Sequence, residues 1–164
     1  RRRRLHRPRL LLRGGGFHPP SLFSKPTRLT AMQNLDQIRA KNALDAADAR
    51  DGGNYKFTRA DVAGFPALIL QNGILAAFAY AAEDGKTARA GLKFACDRTA
   101  DHLSRHGIPV LNNKTDAYAL IQALSGTQAS SADLQRATAE ALHFFGYLKR
   151  FAAKGQPEAT QPAA

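Results

Sequence analysis

The spacing of apolar and polar positions predicts an all-α chain. Leu35 to Arg50 is an alanine-rich helix that stops at Asp51-Gly52-Gly53. Asn54 to Phe57 is a short connection, and Thr58 with Asp61 makes a capping box for the next helix. Pro66 lacks an N–H and clashes with the preceding turn, so it kinks or restarts that helix. From Ala67 to Glu83 the apolar residues point in every direction. Leu68, Leu75 and Ala79 mark one side; Leu70, Ile74, Ala77 and Phe78 mark the other. A helix apolar all round is expected at the centre of a bundle. Asp84-Gly85 ends it.

Thr87 to His106 places Leu92, Cys96, Thr99 and Leu103 at i, i+4, i+7 and i+11, an amphipathic helix closed by Gly107. Thr115 to Leu124 is a short helix between two loops. Ser130 with Asp133 is a second capping box, opening a long helix that runs to about Lys154. No stretch alternates as a strand does. The expected fold is a compact bundle of five to six helices, residues 32–154, with disordered tails at 1–31 and 155–164.

The polar triplet Gln71-Asn72-Gly73 interrupts the most apolar segment. Buried amides need hydrogen-bond partners, and glycine inside a helix costs about 1 kcal/mol relative to alanine. Two readings fit. Pro66, Gln71, Asn72 and Gly73 mark a close helix crossing with satisfied amides, or the triplet is a partner contact exposed at the kink.

Charge changes the picture less than its total suggests. The formal charge is +11, but residues 1–31 hold nine Lys/Arg and no acid. The rest has fifteen Lys/Arg against thirteen Asp/Glu, a net of +2. The tail "RRRRLHRPRLLLRGGGFHPPSLFSKPTRLTA" has no helical period. Met32 is the only methionine and is read as the native start, with the tail upstream or appended. A functional basic arm and a transit peptide are its rivals. Cys96 is the only cysteine, so an internal disulfide is excluded and a small buried hydrophobe is expected, in keeping with a reducing cytoplasm. The Leu68–Ala82 segment is too short and too interrupted to span a bilayer.

Catalytic chemistry has little to stand on. Asp97/Asp101 and His102/His106 are i, i+4 pairs on one helix, yet Asp101 and His102 point about 100° apart, so the four share no face. There is no HExxH, CxxC, Walker loop or GxSxG. Neither an enzyme nor a metal or other cofactor is expected.

The closing helix carries more. Arg136, His143, Tyr147, Arg150 and Lys154 follow at spacings of 7, 4, 3 and 4, which sets them on one strip with Glu140 at its edge. The apolar side holds Leu134, Ala141, Phe145, Leu148 and Ala152. Spaced cations suit a phosphate backbone, and Tyr147 suits stacking on a base. A solvated face with cations complementing the helix dipole fits these residues equally well. Lys86, Arg89 and Lys93 form a second basic group, and Arg39 with Lys41 a third.

Three segments resemble a known family. "FPALILQNGILAAFAYAAE", "ATAEALHFFGYLKRFAAK" and "LDQIRAKNAL" are similar, in order and spacing, to the small subunit of the Cmr complex, the type III-B CRISPR effector. The resemblance covers about Met32 to Lys154. It implies a non-catalytic helical protein, copies of which stack beside the backbone and large subunits and help hold guide RNA and target RNA in antiviral defence. Under it, Asn72-Gly73 sets a close crossing inside the subunit. A small subunit of a related type III-A or type I effector, and a helical adaptor that binds protein only, are the alternatives.

Overall fold

The computed structural model describes residues 34–83, 89–105 and 108–152, apart from the side chain of Tyr55. Both tails, Met32, Asp84-Gly85, Lys86, His106, Gly107 and Lys154 lie outside the described residues. Six helices are described: α1 (Leu35–Ala47), α2 (Arg59–Ala63), α3 (Phe65–Ala82), α4 (Ala90–Ser104), α5 (Ala117–Ser125) and α6 (Ser131–Phe151). A 3₁₀ turn at Pro109–Leu111 precedes α5. The all-α reading is right, with one addition: Arg50–Asp51 (β1) and Asn54–Tyr55 (β2) pair antiparallel. Gly52 and Gly53 both have positive φ, 55° and 89°, which suits the tight reversal between two strands. The Gly-Gly pair read as a helix stop is thus a hairpin turn, and α1 ends earlier, at Ala47.

The helix starts follow the sequence. The Asp61 carboxylate accepts from the Thr58 N–H at 2.6 Å and its hydroxyl at 2.8 Å. Asp133 does the same for Ser130, at 3.0 and 2.6 Å. Asn34 and Gln37 form a further reciprocal cap on α1. Pro66 sits in the first turn of α3, where its missing N–H costs nothing, so it restarts the helix. The Asp61 side chain also lies against the first turn of α4. A Cβ built on Gly91 would come 2.6 Å from its Oδ2, so only glycine admits that approach.

The core is one cluster. Phe65 of α3 lies with its ring centroid 4.7 Å from that of Phe145 of α6, the rings tilted by 44°, and Phe145 meets Phe78 edge-on at 6.4 Å. Ala43, Ala46 and Ala47 of α1, Leu103 of α4, Leu120 of α5 and Leu148 of α6 complete it. Leu92, Cys96, Thr99 and Leu103 are all buried, as their spacing predicts. All described residues fall within one compact unit.

The central-helix expectation for α3 is overturned. Phe65, Ile69, Ile74, Ala77, Phe78 and Ala81 are buried, but Leu70 is 72% exposed, and Gln71, Asn72, Gly73, Ala76, Ala79 and Tyr80 also face outward. The cause is at Gly73, whose φ of 81° and ψ of 160° break the helix in two. In an unbroken helix at 100° per residue, the buried positions before and after Gly73 would point about 150° apart. The break rotates the second half so that both buried edges meet one core. Apolar residues on all sides of the wheel are here two one-sided half-helices in different phase. The expected helix crossing at Gln71, Asn72 and Gly73 is also overturned: among the described residues nothing lies within 4 Å of a Cβ at Gly73. By length and composition α3 resembles a membrane span, but the break leaves halves too short to cross a bilayer.

Candidate nucleic-acid interface

α1 packs against α6, and this contact sorts the strip into residues used internally and residues left outside. Glu140, at the strip's edge, turns inward. Its Oε1 accepts from Arg39 Nε at 2.7 Å and from His102 at 2.9 Å, and its Oε2 takes the other prong of Arg39. His102 is fully buried, and it stacks on Phe144 at 4.2 Å with rings 6° from parallel. The Asn42 amide donates to His102 Nδ1 at 3.0 Å, which assigns the ring proton to Nε2, facing the carboxylate. Burial pushes the Glu140 carboxyl up, but the bonds from Arg39 and His102 outweigh it and hold the group at about 2.

Arg39 is engaged inside the protein. Its side chain is 15% exposed and two-pronged on Glu140, with Asp36 3.6 Å away. Tyr147 is occupied too. The Asp36 carboxylate beside its hydroxyl raises its pKa, and its ring lies 5.9 Å from that of Phe151. Lys41 is exposed and pairs with Asp45 at 2.6 Å. Arg89 lies 3.7 Å over the Tyr80 ring and bonds the Tyr80 carbonyl and Glu83, so it ties α3 to α4. Lys93 is exposed on α4. Lys86 and Lys154 fall outside the described residues.

What remains on the strip is Arg136, His143 and Arg150, all exposed on one side of α6. Among the described residues none of the three makes a salt bridge. Beside Arg136 and His143 a cleft of about 320 Å³ opens, lined also by Leu35, Arg39, Ile108, Ala139 and Glu140. The sequence shows the strip, but not that Arg39, 101 positions away, neutralises the carboxylate at its edge.

The suspected metal ligands are committed elsewhere. Asp97 accepts from the Ala117 N–H at the start of α5, 2.9 Å away, and burial raises its pKa despite that bond. Asp101 holds Arg105 at 2.7 and 2.9 Å. Among the described residues no three His, Cys, Asp or Glu side chains form a metal-binding group. Cys96 is buried, and desolvation pushes its thiol well up.

No curated protein and no solved structure matches the chain. A family model does, that of the CRISPR-associated protein (Cas_Cmr5), over residues 35–154. Those residues run from the first residue of α1 to just beyond α6, so the match takes in every helix described above. The chain belongs to the Cas_Cmr5 family: it is a small subunit of the Cmr complex, the type III-B CRISPR effector.

Proposed function

We propose that this subunit is a non-catalytic wall element of the effector, acting in the cytoplasm in antiviral defence. It stacks with further copies of itself and with the backbone and large subunits, and it presents α6 to guide RNA and target RNA. One observation carries the reading: Arg136, His143 and Arg150 stay exposed on a single strip, while the acid beside them is turned inward and paired. Arg136 and Arg150 are left as exposed cations on the strip, and a phosphodiester chain is the partner that such spacing suits. Contacts of this kind position a strand without reading its sequence.

Protein contacts fall to a different face. The outer side of α3, with Leu70, Gln71, Asn72 and Ala76, is exposed, and α3 carries no charged residue. An uncharged face loses nothing by desolvation of ions, so it suits a neighbouring subunit better than RNA.

The test belongs in the reconstituted complex, where several copies add avidity. Target-RNA affinity is measured against salt for the parent and for an Arg136→Ala/Arg150→Ala variant that still assembles. Each lost phosphate contact should lower the log–log salt slope by about 0.7. An unchanged slope and affinity would remove α6 from the RNA groove and shift attention to Lys86 and Lys93.

A further inference from the structure

We infer that the cleft beside the cationic strip receives a single unstacked base of the RNA strand, with His143 as its stacking surface and Arg136 holding the adjoining phosphate. The inference rests on the RNA-facing reading of α6 and adds a base subsite to a backbone contact. Three observations support it. The cleft, about 320 Å³, falls within the range of small-ligand sites. Its walls have the dual character a nucleobase needs: Leu35, 41% exposed, with Ile108 and Ala139 on the apolar side, and the Arg39–Glu140 pair on the polar side. Its rim is cationic and aromatic, since Arg136 and His143 are both exposed there.

The stacking role falls to His143, which lines the cleft, whereas Tyr147 does not line it and its ring lies against Phe151. Histidine and arginine planes both serve as platforms for splayed bases in single-stranded RNA. Glu140 already receives Arg39 and His102, so the polar wall is satisfied without a ligand. The cleft therefore discriminates weakly among bases. It distinguishes a base from no base, through a π-face that every base has.

The experiment compares two labelled oligomers of equal length and charge, oligouridine and an abasic ribose-phosphate chain. Binding to the full chain is followed by NMR titration, which reaches millimolar affinities. Oligouridine should bind at least about fivefold more tightly, one stacked base being worth that factor or more. The advantage should vanish in His143→Ala and in Ala139→Trp, which fills the cleft from an exposed helical position without disturbing the core. Equal, salt-dependent binding of both oligomers overturns the base subsite and leaves the backbone reading standing. If neither oligomer shifts α6 resonances, and the salt slope of the complex is also unmoved, both fall.

Discussion

Arg39 on α1 and Glu140 on α6 grip each other through two parallel hydrogen bonds across 101 residues of sequence. The pair does two things at once. It pins the first helix to the last, and it removes from the α6 strip the carboxylate that would repel a phosphate.

Glu140 makes stability acid-sensitive. Its folded pKa, about 2, lies below its ordinary value of 4.5, so its contribution is complete above about 4.5 and is lost as pH falls towards 2. Asp133, lowered by its bonds to Ser130, drifts the same way, so the parent alone is not diagnostic. The informative quantity is the difference in Tm between the parent and Glu140→Gln. That difference should be greatest above pH 5 and should shrink as pH drops through the 4.5 to 2 window. A pH-independent difference would show that the carboxylate's charge is not what stabilises the contact.

Removing one partner of a well-shielded pair costs more than the pair itself is worth, because the other charge is stranded. Arg39→Ala should therefore destabilise the chain by about 2 kcal/mol or more in denaturant unfolding. Lys41→Ala, which breaks an exposed pair with Asp45, should cost no more than about 0.5 kcal/mol.

Two glycines give opposite outcomes with alanine. Gly73 has open space around it but a φ of 81° and ψ of 160°, a region closed to side chains. Gly73→Ala should lower stability by about 1–3 kcal/mol through backbone strain alone. Gly146 also has nothing within 4 Å of an added Cβ, and it sits inside α6 without a positive φ. Gly146→Ala should raise stability by about 0.5–1 kcal/mol. Thermal unfolding of the two variants side by side checks both signs. A stable Gly73→Ala protein would mean that α3 tolerates a straight path.

Gly91 makes a third, steric case. A methyl there meets the Asp61 carboxylate, which also caps α2 through Thr58. Gly91→Ala should cost about 1 kcal/mol, the value of a lost cap. In Asp61→Ala/Gly91→Ala the two losses should be less than additive, because the obstructed cap has already gone. Strict additivity in equilibrium unfolding would disconnect the two sites.

The outer face of α3 is tested by charge. Leu70 is 72% exposed, so Leu70→Lys should leave the free subunit's stability within about 0.5 kcal/mol. In the reconstituted effector the same variant should be depleted from the assembled fraction on size-exclusion chromatography. Full incorporation would release this face from any role in assembly.

Local signals were legible in the sequence and long-range ones were not. The capping boxes at Thr58–Asp61 and Ser130–Asp133 are contained within four residues each, and both form as the sequence suggests. The buried stripe of α4 follows its period. α3 defeated the same method because one residue, Gly73, resets the helical phase, and a wheel drawn through it merges two faces into none. The strip on α6 was visible, but its division was not. Arg39, Asp36 and His102 decide which of its residues stay outside, and all three lie far away in the chain. Arg39 and Lys41 read as one basic group, although one is shielded and the other exposed. Only the packing of α1 separates them.

Cys96 has a practical consequence. It is the one thiol in the chain, it is fully buried, and desolvation opposes its ionisation. An alkylating reagent reaches it only when the α4 region opens, so labelling of the native protein reports the frequency of that opening. With excess reagent, slow labelling reads out the opening equilibrium and fast labelling the opening rate. The same measurement on free and assembled subunit would show how far incorporation suppresses these fluctuations, without introducing any probe into the protein.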